Sequence, residues 1–199
     1  GSGMSPDAPF AQFIPSTPRQ AADLAGMQSL WERYGEQLYL RRCLPAHFTA
    51  SALVLSPDRA HMLMVFHLQY HSYSIPGGHA DGERRLIGTA LRECREETGL
   101  CTLTPLSRSP LSWEILPVFG HNKNGRYVGA HLHLNASFIF LGDPKEAIRP
   151  KPDENSAVRW IPVSQLENAC KEPHMLPVYR TLLDIAQSLQ PQTETDPIP

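Results

Sequence analysis

The chain has 199 residues, of which 41% are hydrophobic, enough for one globular domain with a sizeable core and short extensions. Its formal charge of −2 argues against a grip on long nucleic acid, which normally shows as a basic balance or stripe, and no apolar stretch reaches the ~18 residues that a membrane span needs. The four cysteines, Cys43, Cys94, Cys101 and Cys170, make no C-x-x-C pair and are too sparse for a disulfide scaffold, so they read as free thiols in a reducing cytoplasm.

Residues 1–3 precede Met4 and read as a cloning remnant, and no basic cluster followed by an apolar run marks a signal peptide. Residues 4–18 hold Pro6, Pro9, Pro15 and Pro18 with little periodicity, so 1–18 is expected to be remnant and loose arm. Over 19–42, Leu24, Met27, Leu30 and Trp31 recur at helical spacing. Pro45 ends that segment, giving a helical N-terminal extension over 19–45. Residues 48–55 and 61–67 have strand character, and the Pro57-Asp58 turn between them makes a hairpin. The run HMLMVFH is nearly all apolar, as in a strand buried on both faces.

Residues 74–82 are dense in Pro and Gly and read as a loop. A helix follows over 85–98, with Leu86, Ile87, Ala90, Leu91 and Cys94 inward and Gly99 as its left-handed stop. Gly88, in mid-helix, is expected to allow close packing against a sheet. Strands are expected over 111–119 and 128–141. In the second, His131, His133 and Asn135 point one way and Leu132 and Leu134 the other. A polar loop over 148–156 leads to a short strand over 157–161, then an amphipathic helix over 175–189 and a disordered tail over 191–199. This order suggests a mixed sheet with helices on both faces, forming one α/β domain over 46–190.

The chemistry concentrates at Arg92-Glu93-Cys94-Arg95-Glu96-Glu97-Thr98-Gly99-Leu100. Glu93, Glu96 and Glu97 stand at i, i+3 and i+4 and share one helix face. Like charges so close destabilise a helix unless a cation sits among them. Mg²⁺ and Mn²⁺ are hard ions that take carboxylate oxygens and keep waters for a phosphate to displace. Three such glutamates alone read more readily as a solvated acidic face, and it is their context that argues for a cation.

The longer string PGGHADGERRLIGTALRECREETGL resembles the Nudix box, G-x5-E-x7-R-E-U-x-E-E-x-G-U with U apolar. Gly78, Arg92, Glu93, Cys94, Glu96, Glu97, Gly99 and Leu100 all fall in place. One position departs: the first box glutamate should be residue 84, which is Arg84, and the glutamate is Glu83. Further runs, HFTASALVL, AHLHLN and KPDENSAVRWIP, resemble bacterial Nudix hydrolases of the GGHADG type, extending the likeness over about residues 47–165.

The resemblance implies an α/β Nudix fold, a mixed β-sheet sandwiched between helices (α/β/α) with an N-terminal helical extension. It implies cleavage of a diphosphate bond in a nucleoside diphosphate-linked or related small molecule by attack of metal-bound water, with Mg²⁺ or Mn²⁺ as cofactor. Glu93, Glu96 and Glu97 would hold the metal, helped by a backbone carbonyl at Gly77 or Gly78. Arg92 would orient the cluster, Glu83 would pair with Arg92, and Glu97 or Glu96 would be a candidate general base. Glu154, or Asp153, in the acidic loop before the V-x-W strand is a further candidate for base or fourth acidic ligand. His79, His131 and His133 are open between substrate contact, a histidine-rich metal site and structural hydrogen bonding. Tyr73, Tyr70 and Tyr127 could stack on a base or pack ordinarily.

The expected partner is a small nucleotide or diphosphate substrate in the cytoplasm, with no nucleic acid or membrane and with a homodimer as a possible assembly. Three alternatives stay open: a non-catalytic nucleotide-sensing Nudix module, an RNA-end pyrophosphohydrolase, and an isopentenyl-diphosphate-isomerase-like enzyme. The last would need a reactive cysteine at the front of the site.

Overall fold

The computed structural model describes residues 5–153 and 155–191, and of Ser156 the backbone alone. Helix α1 (Pro18–Tyr34) starts where Thr17 accepts a hydrogen bond from the Gln20 N–H, with proline at the first helical positions. It runs into a 3₁₀ turn, Gly35–Tyr39. Strands β1 (Ala46–Leu55), β2 (His61–His67), β3 (Ser72–Ser74) and β4 (Gly77–His79) follow, then helix α2 (Leu86–Thr98). Next come β5 (Leu103–Pro105), β6 (Ser112–Val118), the small hairpin β7 (His121–Lys123) and β8 (Arg126–Val128), and β9 (His131–Gly142). Strand β10 (Asn155–Pro162), a short α3 (Leu166–Ala169) and α4 (Leu176–Ala186) complete the order.

The main sheet runs β10-β2-β1-β9-β5, with β3 on β2, β4 on β1 and β6 on β9. It is mixed: β1 and β9 are parallel, and the other pairs are antiparallel. Side chains alternate across it. Ala46, Phe48, Ala50, Ala52 and Val54 of β1 join Leu134, Ala136, Phe138 and Phe140 of β9 in one core with α1 and α2. Leu53, Leu55, Met62, Met64 and Ile139 form a second core with Val178, Tyr179 and Leu182 of α4. The expected α/β/α sandwich and the β1–β2 hairpin are therefore present. Among the described residues, no helix is long and apolar enough to cross a membrane.

Four expectations change. Residues 5–17 are not a loose arm: Phe10 is completely buried, with its ring against Trp31, Phe48 and Trp113. The prolines shape turns that deliver one aromatic side chain to the core, and aromatic burial outweighs local chain freedom. The extension is likewise no separate unit, since Leu24, Met27 and Trp31 share the α2 core. Residues 77–79 form a strand rather than a loop. Gly88 does not serve close packing on the sheet: a Cβ there would meet the Glu83 carboxyl at 3.7 Å, an ordinary contact. The tail over 191–199 was expected to be disordered, and residues 192–199 lie outside the described residues.

One buried carboxyl marks the sheet edge. Glu114 on β6 is 2% exposed, accepts from the Ser112 hydroxyl and leaves Oε2 with no partner among the described residues. Gln20 of α1 donates to Ser112 Oγ at 3.2 Å. Burial pushes the Glu114 carboxyl up to about 7, against the lowering effect of the Ser112 and Gln20 hydrogen bonds.

Two stability measurements follow from this packing. Phe10→Ala should destabilise the fold by about 3–5 kcal/mol in urea unfolding, because the vacated space lies among rings that cannot close over it. For Glu114, the unfolded chain loses the proton near the ordinary value of 4.5 and the folded chain near 7. The folded state thus binds the extra proton in between, and stability falls as pH rises across that window. Unfolding curves at pH 5 and pH 8 should show this fall in the wild type and a smaller one in Glu114→Gln; equal slopes in both proteins would refute the assignment.

Candidate metal and phosphate site

Strand β4 lies antiparallel on the middle of β1, with Thr49 opposite His79, Ala50 opposite Gly78 and Ser51 opposite Gly77. The Ala52 N–H reaches Pro76 O at 2.9 Å and the Ala80 N–H reaches Phe48 O at 3.1 Å. Ladder alternation then makes Ala50 and Gly78 a hydrogen-bonded pair, and turns the polar backbone groups of Gly77 and His79 away from β1. Both are used by α2. The Gly77 N–H donates to Glu97 Oε1 at 3.2 Å, and Arg92 Nη2 donates to the His79 carbonyl at 2.9 Å.

The two glycines provide space rather than unusual backbone angles, since neither has positive φ. A Cβ on Gly78 would sit 2.2 Å from Glu93 Oε1, and one on Gly77 would sit 2.8 Å from Ala50 O. Glu93 thus lies directly over bare backbone, with Arg92 Nη2 4.0 Å from its Oε1. Glu97 is buried at 3% exposure, whereas Glu96 is exposed. The expected trio does share one face of α2, and Gly99 ends the helix at φ 76°. Of the two expected backbone ligands, Gly78 has its carbonyl committed to the β-ladder. By the same alternation the Gly77 carbonyl points away from β1, to the side on which its N–H meets Glu97.

Glu83 does not pair with Arg92. Its Oε1 accepts from the Arg85 N–H at 2.9 Å, at the helix start. Arg92 instead holds the His79 carbonyl and lies beside Glu93. Arg84, where the box expects glutamate, lies over the Tyr39 ring at 4.4 Å and pairs with Glu36 at 3.2 Å. The Arg41 guanidinium binds both oxygens of Asp81 at 2.8 and 2.6 Å, and Gly82 N–H donates to Tyr39 O at 2.8 Å. The N-terminal extension therefore braces the box loop, a role its sequence did not disclose.

Three histidines converge on the sheet. His79 on β4, His133 on β9 and His47 on β1 bring ligand nitrogens within 4.8 Å of one another. His131 joins them, its Nε2 3.2 Å from His133 Nε2. His47 was not singled out from the sequence. Its alternation with Thr49 and Ser51 was the available signal, because it faces His133 across the parallel register. Deeper on the same face, Thr49 and Ser51 hydroxyls donate to Asn135 Oδ1 at 2.8 and 3.1 Å, and Asn135 donates to Ser137 at 3.1 Å.

The remaining candidates are placed differently. Tyr73 stacks edge-on to Phe66 at 5.2 Å and packs on the second core, so its environment is ordinary packing. Tyr70 lies near His67, and Tyr127 is 72% exposed on β8. Glu154 lies outside the described residues, while Asp153 is exposed. The cysteines are free; burial pushes the Cys94 thiol up to about 12 against its Thr98 contact, which leaves no reactive thiol in the box helix.

The model of the NUDIX domain matches residues 45–182. Among solved structures, a C. elegans Ap4A hydrolase binary complex is 14% identical with TM-score 0.53, covering 70% of this chain and 97% of that one. RenU, a Nudix hydrolase from M. smegmatis, is 16% identical with TM-score 0.54, covering 74% and 90%. The E. coli dihydroneopterin triphosphate pyrophosphohydrolase is 14% identical with TM-score 0.53, covering 69% and 95%. At these identities the likeness is one of fold. No curated protein matches the sequence.

The space over Gly78 yields a direct test. Gly78→Ala should push the Glu93 carboxylate aside, since a flexible side-chain tip gives way more readily than backbone. Mn²⁺ binding followed by electron paramagnetic resonance should weaken, with the melting temperature little changed. Undiminished Mn²⁺ binding would show that the Glu93 position is not needed to hold a cation.

Proposed function

Because the chain belongs to the NUDIX family, we propose that it is a divalent-cation-dependent hydrolase of a diphosphate bond in a nucleoside diphosphate-linked or related small molecule. One observation carries the reading: Glu93 and Glu97 of α2 are seated on the Gly77-Gly78 backbone, with Glu96 exposed beside them. The donor set fits a hard cation, since carboxylate oxygens and the outward Gly77 carbonyl are what Mg²⁺ or Mn²⁺ prefers. Glu93, Glu96 and Glu97 would hold it. When bound, such a cation makes water more acidic and neutralises charge on phosphoryl oxygens.

The chain's own groups have distinct parts in this reading. Arg92 fixes the β4 turn through the His79 carbonyl and sets the orientation of Glu93. The Gly77 N–H donates to Glu97 Oε1 and so fixes this carboxylate in one orientation, in which it would serve as the base toward the attacking water. Glu97 is thus the preferred base on α2, and Glu154 or Asp153 is the alternative from the acidic loop. A net charge of −2 argues against long nucleic acid as the substrate.

A panel of nucleoside triphosphates, nucleotide sugars, ADP-ribose and dinucleoside polyphosphates, assayed with Mg²⁺ or Mn²⁺ for phosphate release, tests the reading. At least one compound should turn over, and Glu97→Gln should lower kcat on the order of 10²–10⁴-fold. Absence of turnover across the panel in both metals would overturn the hydrolase reading. Unchanged kcat in Glu97→Gln would overturn the choice of base.

A further inference from the structure

The box accounts for the acids of α2 but leaves unexplained four imidazoles brought together by three separate strands. His47 is 4% exposed, and its Nε2 is fully buried with no hydrogen-bond partner among the described residues. Its Nδ1 lies 3.1 Å from the Cys43 carbonyl, which can only accept, so Nδ1 carries the hydrogen and Nε2 presents a lone pair. His131 has the same tautomer: Nδ1 is 2.8 Å from the Gly129 carbonyl, so its Nε2 accepts the 3.2 Å hydrogen bond that His133 Nε2 donates, a bond that a metal ion would replace. An imidazole that donates one nitrogen to a carbonyl and offers the other is the usual arrangement of a metal-bound histidine. Stacked rings alone would not leave a buried nitrogen unsatisfied.

We infer that His47, His79 and His133, with His131 as the fourth donor, form a nitrogen-ligand site for one divalent transition-metal ion of the zinc class, separate from the carboxylate site of the box. Imidazole nitrogen suits Zn²⁺, Co²⁺ or Ni²⁺ and suits Mg²⁺ poorly. The nearby Arg41 charge is matched by Asp81, which binds it through two oxygens. Entry is open on one side, since His79, His131 and His133 are only partly buried.

The spacing sets what binding must do. A tetrahedral zinc with Zn–N bonds of about 2.0–2.1 Å holds its nitrogens roughly 3.4 Å apart. The His131–His133 pair already has that spacing, and the other nitrogens, within 4.8 Å, must draw in by ring rotation. The two centres share a loop, because the His79 carbonyl is held by Arg92 of the box helix. The inference does not depend on hydrolysis: it requires only the histidines.

The full chain, stripped with chelator, is titrated with Co²⁺ alone and read by its visible d–d absorption. One Co²⁺ should bind with the intense bands of a four- or five-coordinate nitrogen site, be displaced by Zn²⁺ and persist in excess Mg²⁺. Glu93→Gln should keep those bands. His79→Ala and His133→Ala should weaken Co²⁺ binding on the order of 10–100-fold or more. Should either variant unfold, ¹⁵N imidazole spectra of the wild type decide instead: Zn²⁺ should shift the four histidines and leave His61, His67, His71, His121 and His174 in place. Absence of a stoichiometric Co²⁺ site, bands lost in Glu93→Gln but kept in His79→Ala, or imidazole shifts confined to the other five histidines would overturn the inference.

Discussion

The backbone of Gly77 and Gly78 is the surface on which the site is built. Strand β4 is pinned to β1 on one edge, so its outward groups alone can meet α2. Without side chains, it allows the carboxylate of Glu93 to rest where a Cβ would stand 2.2 Å away. The helix is fixed in return, through Glu97 on the Gly77 N–H and Arg92 on the His79 carbonyl. Acidic side chains that would otherwise spread into water are held in one orientation by short backbone contacts. A loop in this position could not do so, because it would lack the ladder that fixes which carbonyls point outward.

The helices, the β1–β2 hairpin and the acidic face of α2 were legible in the sequence because each is written in local periodicity. Leu86, Ile87, Ala90, Leu91 and Cys94 repeat at helical spacing, and all five are buried. What escaped reading depends on partners far along the chain. Gly77–His79 has no strand propensity of its own and becomes a strand because β1 offers an edge. Phe10 sits among prolines, and its burial is decided by Trp31, Phe48 and Trp113. His47 looks like one polar residue at a strand start until the register places it beside His133. The shift of Glu83 was visible; its outcome was not. Arg84 is drawn to Tyr39 and Glu36, residues of an extension whose sequence shows only helix.

The sheet carries two kinds of face on one strand pair. On the side shared by His47, Thr49, Ser51, Leu53 and Leu55, polar residues at one end give way to apolar ones at the other, and β9 follows with His133, Asn135, Ser137, Ile139 and Leu141. The apolar half seals the α4 core, while the polar half is closed by its own hydrogen bonds through Asn135. Each hydroxyl and amide buried there has a partner, as burial of polar groups requires. Apolar packing and a closed polar network thus occupy opposite ends of the same two strands.

The parallel pairing of β1 with β9 has a further consequence for how the molecule comes into being. Gly77, Gly78, Arg92, Glu93 and Glu97 lie within one short stretch of chain, so their clamp closes through contacts of low sequence separation once β1 is in place. The histidines do not: His47 meets His133 only after everything between them has been made. Long-range parallel pairing is slow to form because the intervening loop must close first. A nascent chain that has emerged only as far as Gly129 therefore owns every box acid yet has only His47 and His79 of the imidazole group. The box acids are thus all in the nascent chain before the histidine group can be complete, and β10 at the far edge of the sheet is still to follow when it is.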